Sequence, residues 1–215
     1  KLIFGDRQKI HIPIGNFLTF TTDYEEFNDL FLKTNYFYNK GKYNLDLETG
    51  LFSESNSVLG NNFSGAFTLD NAVTYFAKLK NSFSINDDLL KLNLGYGLTK
   101  AEFENSGFIE MSDLHTLETT IAYEKIFNNS KLSTSLDLPI HISEGYVKFS
   151  NVSGYDRSGN YKNGTTNIDL RSNDIHGSLN FYYDINLSKT SDFGISYSLD
   201  TFNDQESSIV YRKKF

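Results

Sequence analysis

The 215-residue sequence contains no cysteine, no tryptophan, one methionine and two prolines. Without cysteine there is no disulfide framework, no thiolate zinc cluster and no thiol catalysis. No apolar run approaches the roughly 18 residues of a membrane-spanning helix, and mean hydropathy is negative. A helical membrane protein is thereby excluded. An outer-membrane strand barrel is not, because only alternate residues of each strand face lipid. Basic residues are in deficit, with 20 Lys and Arg against 27 Asp and Glu for a net charge of −7. They are also scattered, so nucleic-acid binding leaves no footprint. Lys1 is not an initiator methionine and no charged-then-apolar leader follows it, so the expectation is a mature chain or a piece of a longer one.

Aromatic residues are plentiful, with 19 Phe and 14 Tyr, and they sit in runs that alternate with period two. Over residues 90–98, Leu90, Leu92, Leu94, Tyr96 and Leu98 share one face, while Lys91, Asn93, Gly95 and Gly97 share the other. The same split separates Leu132, Thr134, Leu136, Leu138, Ile140 and Ile142 from Ser133, Ser135, Asp137, Pro139 and His141. It separates Leu179, Phe181, Tyr183, Ile185 and Leu187 from Asn180, Tyr182, Asp184 and Asn186. Further copies run over residues 43–51, 73–83, 117–127, 193–199 and 209–215. Strict alternation predicts strands buried on one face. Only residues 23–32, with Tyr24, Phe27, Leu30 and Phe31, have the spacing for about two helical turns.

Short polar turns separate the runs: Asn39-Lys40-Gly41, Asn86-Asp87-Asp88, Asn128-Asn129-Ser130 and Ser188-Lys189-Thr190. Longer connectors at residues 53–62, 101–113 and the Ser/Gly/Asn-rich 150–165 alternate with them. This predicts an antiparallel up-and-down meander of about twelve strands, within about two. Residues 1–28 read as a linker and entry segment, and 29–215 as a single domain.

Two architectures match the pattern. A soluble sandwich buries the apolar face against a second sheet, with strands of about 5–6 residues. A membrane barrel turns it to lipid, with strands of about 9–11. The length of the runs over 73–85, 89–100, 115–127, 131–142 and 177–187 favours the barrel. So do the aromatics near run ends (Tyr36, Phe37, Tyr38; Tyr75, Phe76; Phe127; Tyr182, Tyr183; Phe202), placed as interfacial girdles would be. In a closed barrel Lys78, Lys80, Lys91, Glu118, Glu124, Lys131, Asp137 and Asp184 would line the lumen. In a sandwich they would be its solvated face.

The last residues place Ile209, Tyr211 and Phe215 on one face, with an aromatic at the end. This resembles the terminal-strand signal by which bacterial outer-membrane barrels are recognised for assembly, although Lys213 occupies that face too. Two further segments resemble the C-terminal region of subtilisin-like (S8-type) serine protease autotransporters. Ile3-Phe4-Gly5-Asp6-Arg7-Gln8-Lys9-Ile10-His11-Ile12 is similar to that family's aromatic-Asp-Arg linker, with Lys9 where Arg is usual. The second segment runs through Leu136-Asp137-Leu138-Pro139-Ile140, Ser143-Glu144-Gly145, Tyr155-Asp156-Arg157-Ser158-Gly159 and Ile168-Asp169-Leu170 to the final alternating hairpin. The resemblance implies a translocator barrel of a Gram-negative outer membrane. Its implied partners are outer-membrane lipid, the barrel assembly machinery and the chain's own N-terminal passenger, a subtilisin-type protease outside this sequence.

Residues for bond chemistry are sparse. His11, His115, His141 and His176 are the available imidazole bases. Asp174-Ile175-His176-Gly177-Ser178 superficially resembles a subtilisin His-Gly-Thr motif, but no Gly-Thr-Ser-Met-Ala nucleophile segment exists and His176 opens a strand. Asp87-Asp88 and Asn203-Asp204-Gln205-Glu206 read as solvated turns rather than as the roughly 6–8 oxygen ligands of a hard cation. Gly95-Tyr96-Gly97 lies within a strand, where glycine relieves crowding instead of cradling phosphate.

The expectation is therefore an all-β, antiparallel up-and-down transmembrane β-barrel without catalytic residues, metal or cofactor, acting as a monomeric translocator domain. The alternatives are a small porin-like or structural outer-membrane barrel and, from another class, a soluble all-β interaction module.

Overall fold

The computed structural model describes the backbone of residues 8–14, 18–24, 30–55, 57–59, 61–62, 68–86, 88–103, 108–188, 190–201 and 204–213, with side chains from Phe31 onward except at 61–62. The strands are β1 (Gln8–Ile14), β2 (Leu18–Tyr24), β3 (Leu30–Lys40), β4 (Tyr43–Ser55), β5 (Ser57–Val58), β6 (Asn61–Asn62), β7 (Leu69–Ile85) and β8 (Asp88–Phe103), followed by β9 (Ile109–Met111), β10 (Leu114–Ile126), β11 (Ser130–Glu144), β12 (Tyr146–Tyr155), β13 (Tyr161–Asp169), β14 (Ser178–Ser188), β15 (Ser191–Asp200) and β16 (Gln205–Lys213). Eleven form one antiparallel meander in the order β1-β2-β3-β4-β7-β8-β10-β11-β14-β15-β16. A three-stranded sheet, β13-β12-β9, and the β5-β6 pair make up the rest. β1 and β2 come from the segment read in sequence as linker and entry.

Tight turns close one end of the wall. Lys40 pairs with Tyr43 around Gly41, and Ile85 pairs with Asp88 around Asn86. Gly41 and Asn86 have φ values of 61° and 54°, the left-handed conformation that matches a two-residue hairpin to strand twist. The long β11–β14 connection, residues 145–177, leaves from the opposite end.

Register carries the sequence alternation across the sheet. Tyr36, Leu47, Leu79, Leu94, Thr119 and Leu138 follow one another from β3 to β11 as a row on one face. Asn35, Glu48, Lys78, Gly95 and Glu118 form the neighbouring row on the other. Among the described residues no second layer covers the apolar face: Leu94 is 41% exposed, Ile121 45%, Leu136 44% and Ile195 45%. A soluble sandwich would bury this face; a barrel wall leaves it for lipid. β7 and β8, at 17 and 16 residues, exceed the roughly 9–11 a tilted strand needs to span a bilayer.

The surplus length builds a compact cluster at the loop end, and there the polarity inverts. Ala72, Phe103 and Leu114, on the face that carries Lys78 and Glu118 lower down, are buried with Val58, Leu69, Ile109 and Val147. Lys100 and Glu102 take the opposite face, and Lys100 Nζ lies 3.8 Å from Asp113. Three buried threonines, Thr74, Thr99 and Thr116, mark the boundary, with the Thr74 and Thr99 hydroxyls 2.8 Å apart. The β4–β7 connection supplies Val58 and Leu59. The buried Glu54 carboxylate holds it by accepting from Ser57 Oγ at 3.1 Å and from the Leu59 N–H at 2.9 Å.

Three expectations require correction. Residues 150–165, expected as a connector, form most of the β12–β13 hairpin. Their polar composition reflects a sheet wetted on both faces, since β13 is exposed almost throughout. The helical turns expected over 23–32 are absent where the structure describes them: Asp23 and Tyr24 close β2, and Leu30 to Leu32 open β3. A β-bulge falls near Pro139, because Thr119 pairs with Leu138 but Leu117 with His141. The one-residue insertion flips the strand end, so His141 joins the face of Leu117, while Ile142, opposite Thr116, joins the polar face.

Candidate functional site: the polar face of the wall

The expected lumen residues Lys78, Lys80, Lys91, Glu118, Glu124, Lys131, Asp137 and Asp184 all share the polar face, and most are brought together there. Glu124, on β10, bridges two strands: Lys91 Nζ of β8 approaches to 2.7 Å and Lys131 Nζ of β11 to 3.0 Å. Lys78 Nζ of β7 reaches Glu118 Oε1 of β10 at 2.8 Å, across the intervening β8. Gly95 makes this possible, since a Cβ there would collide with the Glu118 side chain. Lys80 lies 4.0 Å from Glu48, which also receives Lys33 at 3.1 Å and an Asn35 amide hydrogen bond at 3.3 Å. Half-exposed ion pairs of this kind contribute about 0–1 kcal/mol each. Their geometric effect is larger, because they tie neighbouring strands laterally.

Asp137 and Asp184 stand apart from this ladder. Asp137 accepts from Ser135 Oγ at 2.6 Å and Asn180 Nδ2 at 2.8 Å. Asn180 in turn accepts from Ser198 Oγ at 2.6 Å, joining β11, β14 and β15. Asp184 lies over Gly194. Lys131, its register partner, turns its ammonium to Glu124. Glu48 and Asn180 are the organising residues that motif reading did not single out. Both occupy alternate positions within strongly periodic runs, so their face was legible, but their partners lie on other strands.

Aromatic rings occur on both faces. Phe76 stacks on Phe31 with ring centroids 5.7 Å apart, on the polar face over Gly50. Tyr75 and Tyr96 face outward and are half exposed, and Tyr96 Oη lies 2.6 Å from His115 Nδ1. At the turn end Tyr123 Oη donates to Asp88 at 2.8 Å, so Asp88 is engaged within the wall. His141 Nδ1 lies 3.0 Å from the Pro139 carbonyl, and His176 precedes β14 instead of opening it. The His11 side chain lies outside the described residues. Among those described, no group of His, Asp and Glu is arranged to hold a metal. In β16, Ile209 and Tyr211 face outward opposite Ile195 and Phe193; Phe215 lies outside the described residues.

Two grooves open along the polar face. One, of about 370 Å³, is lined by Phe37, Asn44, Asp46, Lys80, Lys91 and Asn93 among others. The other, of about 690 Å³, is lined by hydroxyls and amides of β14 and β15 with Glu206 and Ser208 of β16.

No protein-family model matches the sequence, and no curated protein matches it. In structure the chain is similar to OmpT, an outer membrane protein of Vibrio cholerae, solved as a mutant with loop L8 deleted. The likeness has a TM-score of 0.56 at 9% identity over 94% of this chain, which spans 60% of the length of that protein. With an apolar face that no described residue covers on one side and a charged face on the other, the chain has the fold of an outer-membrane β-barrel.

Proposed function

We propose that this barrel is the translocator domain of an autotransporter. It anchors the polypeptide in outer-membrane lipid, as a monomer, and its polar face lines a hydrated conduit for an N-terminal passenger, a subtilisin-like protease. The reading is carried by one observation: the parts of the longer segment that resembles the S8-type family, from Leu136 to Leu170, fall on successive parts of one continuous unit. Leu136 to Ile140 lie in β11 at the bulge, and Ser143-Glu144-Gly145 form the joint into β12. Asp156 and Gly159 close the β12–β13 turn through the Ser158 and Asn160 amides and the Asp156 carbonyl. Leu170 then packs against the loop-end cluster before β14 and β15 return to the wall. The outward Ile209 and Tyr211, together with Phe215, would present the edge read by the barrel assembly machinery.

A reporter domain fused upstream of Lys1 behind a secretory leader tests the proposal. The expected outcome is a reporter on the cell surface, removable by external protease, and lost when deletion of Phe215 impairs assembly. A folded, heat-modifiable barrel with the reporter retained in the periplasm would overturn it and favour the porin-like alternative.

A further inference from the structure

We infer that the barrel is a cation-selective conduit, and that the selectivity resides in the β14–β16 part of its polar face. The charges on that face are not evenly balanced. From β3 to β11 each described lysine of the polar face has a carboxylate: Lys33 and Lys80 share Glu48, Lys78 has Glu118, and Lys91 and Lys131 share Glu124. These strands leave little positive charge to attract an anion.

The β14–β16 part of the wall is acidic among the described residues. β14, β15 and β16 place Asp184, Asp192, Asp200 and Glu206 on the polar face, and the described cation there, Arg212, lies 3.5 Å from Asp192. Asp184 and Glu206 have no cation within ion-pair distance among the described residues. Glu206 borders the larger groove, of about 690 Å³, whose other polar-face lining is Asn180, Tyr182, Ser196, Ser198 and Ser208. These neutral groups can replace part of a cation's hydration shell, whereas none of them is a fixed positive charge. Strands are about 4.8 Å apart and the Debye length is about 8 Å at physiological ionic strength. In register Asp184 stands opposite Gly194 and, through it, Val210, four residues along β16 from Glu206. At about 3.4 Å per residue and two strand spacings, the two carboxylates therefore lie about two Debye lengths apart. They act as separate acidic positions along the wall, each focused by its low-dielectric surface. This inference does not depend on export: a barrel that fails to display a reporter can still select cations.

The test is the reversal potential of the purified full-length chain in planar bilayers under a potassium chloride gradient. Potassium is expected to permeate more readily than chloride by roughly 10-fold at 0.1 M salt, with the ratio falling toward unity at 1 M as the carboxylates are screened. The double variant Asp184→Asn with Glu206→Gln should lower the 0.1 M ratio several-fold while conductance persists. Asp113→Asn, on the outer face at the loop end, should leave it unchanged. Glu206→Lys alone provides a second measurement should the double variant fail to fold, and it should move the ratio in the same direction. Chloride preference, no preference, a folded barrel that passes no current, or variants that retain full selectivity would each overturn the inference.

Discussion

Strand β8 has opposite polarity at its two ends. Over residues 90–98 its apolar side chains point outward, and Leu90, Leu94 and Tyr96 remain 41–47% exposed. From Thr99 to Phe103 the pattern reverses: Lys100 and Glu102 take the outer face, while Ala101 and Phe103 pack into the loop-end cluster. Backbone geometry and pairing continue through the switch, since Val73 opposite Lys100 follows Thr74 opposite Thr99 without a shift. What changes is the surrounding medium. A strand in lipid puts its apolar residues outside; a strand in water puts them inside. The Thr74, Thr99 and Thr116 layer lies where one rule gives way to the other.

The largest expected effect comes from the inverted zone. Leu114 is 2% exposed, so Leu114→Ala should cost about 2–5 kcal/mol through a cavity that the cluster cannot close. Equilibrium unfolding in lipid vesicles followed by far-UV circular dichroism reads this, the chain having no tryptophan. A cost below about 1 kcal/mol would show that the cluster is not a packed core.

Next in size is a charge on the lipid face. Leu94→Arg should destabilise by about 2–4 kcal/mol and slow membrane assembly. Lys100→Leu, a few residues along the same strand and on the same face, should change stability by no more than about 0.5 kcal/mol. Comparable costs at both positions would place the boundary elsewhere than at the threonine layer.

The smallest effect belongs to the β12–β13 turn, outside the wall. Asp156 accepts from the Asn160 side chain and from the Ser158 and Asn160 N–H groups. These bonds hold its carboxyl below the usual carboxylate range, with the Asn160 side chain foremost. The depressed folded value sets the sign: Asp156 stabilises the turn above the unfolded value, near ~3.9, and that contribution disappears as pH falls through the folded value. Hydrogen exchange at Ser158 and Asn160 should show protection that declines on acidification in the native hairpin. Asp156→Asn should remove the pH dependence; an unchanged profile would discount the turn bonds.

Much of the wall was legible because alternation is local. Leu90 to Leu98 announce a two-faced strand whatever lies beside them, and Gly41 and Asn86 announce tight turns through their tolerance of left-handed backbone. The candidate site was legible in part: the face of Lys78, Glu118 and Glu124 follows from counting by twos, whereas their pairing does not. Lys78 meets Glu118 only because β8 places Gly95 between them. His141 was assigned to the wrong face because a bulge adds one residue to a count that has no other reference. The 150–165 hairpin was hidden for a related reason. A sheet with water on both sides needs no apolar alternation, so its sequence resembles a loop.

Composition and periodicity by themselves determined an antiparallel, strand-built chain with one greasy and one hydrated face, free of cysteine chemistry and without a helix to cross a bilayer. Those properties depend on the side chain and its near neighbours in sequence. Tertiary structure alone decided which medium each face meets, where the polarity inverts and which charges neutralise one another. The partners involved are far apart in the chain: Lys91 and Glu124 are 33 residues apart, and Asn180 and Asp137 are 43 apart. Only strand order and register bring such groups together.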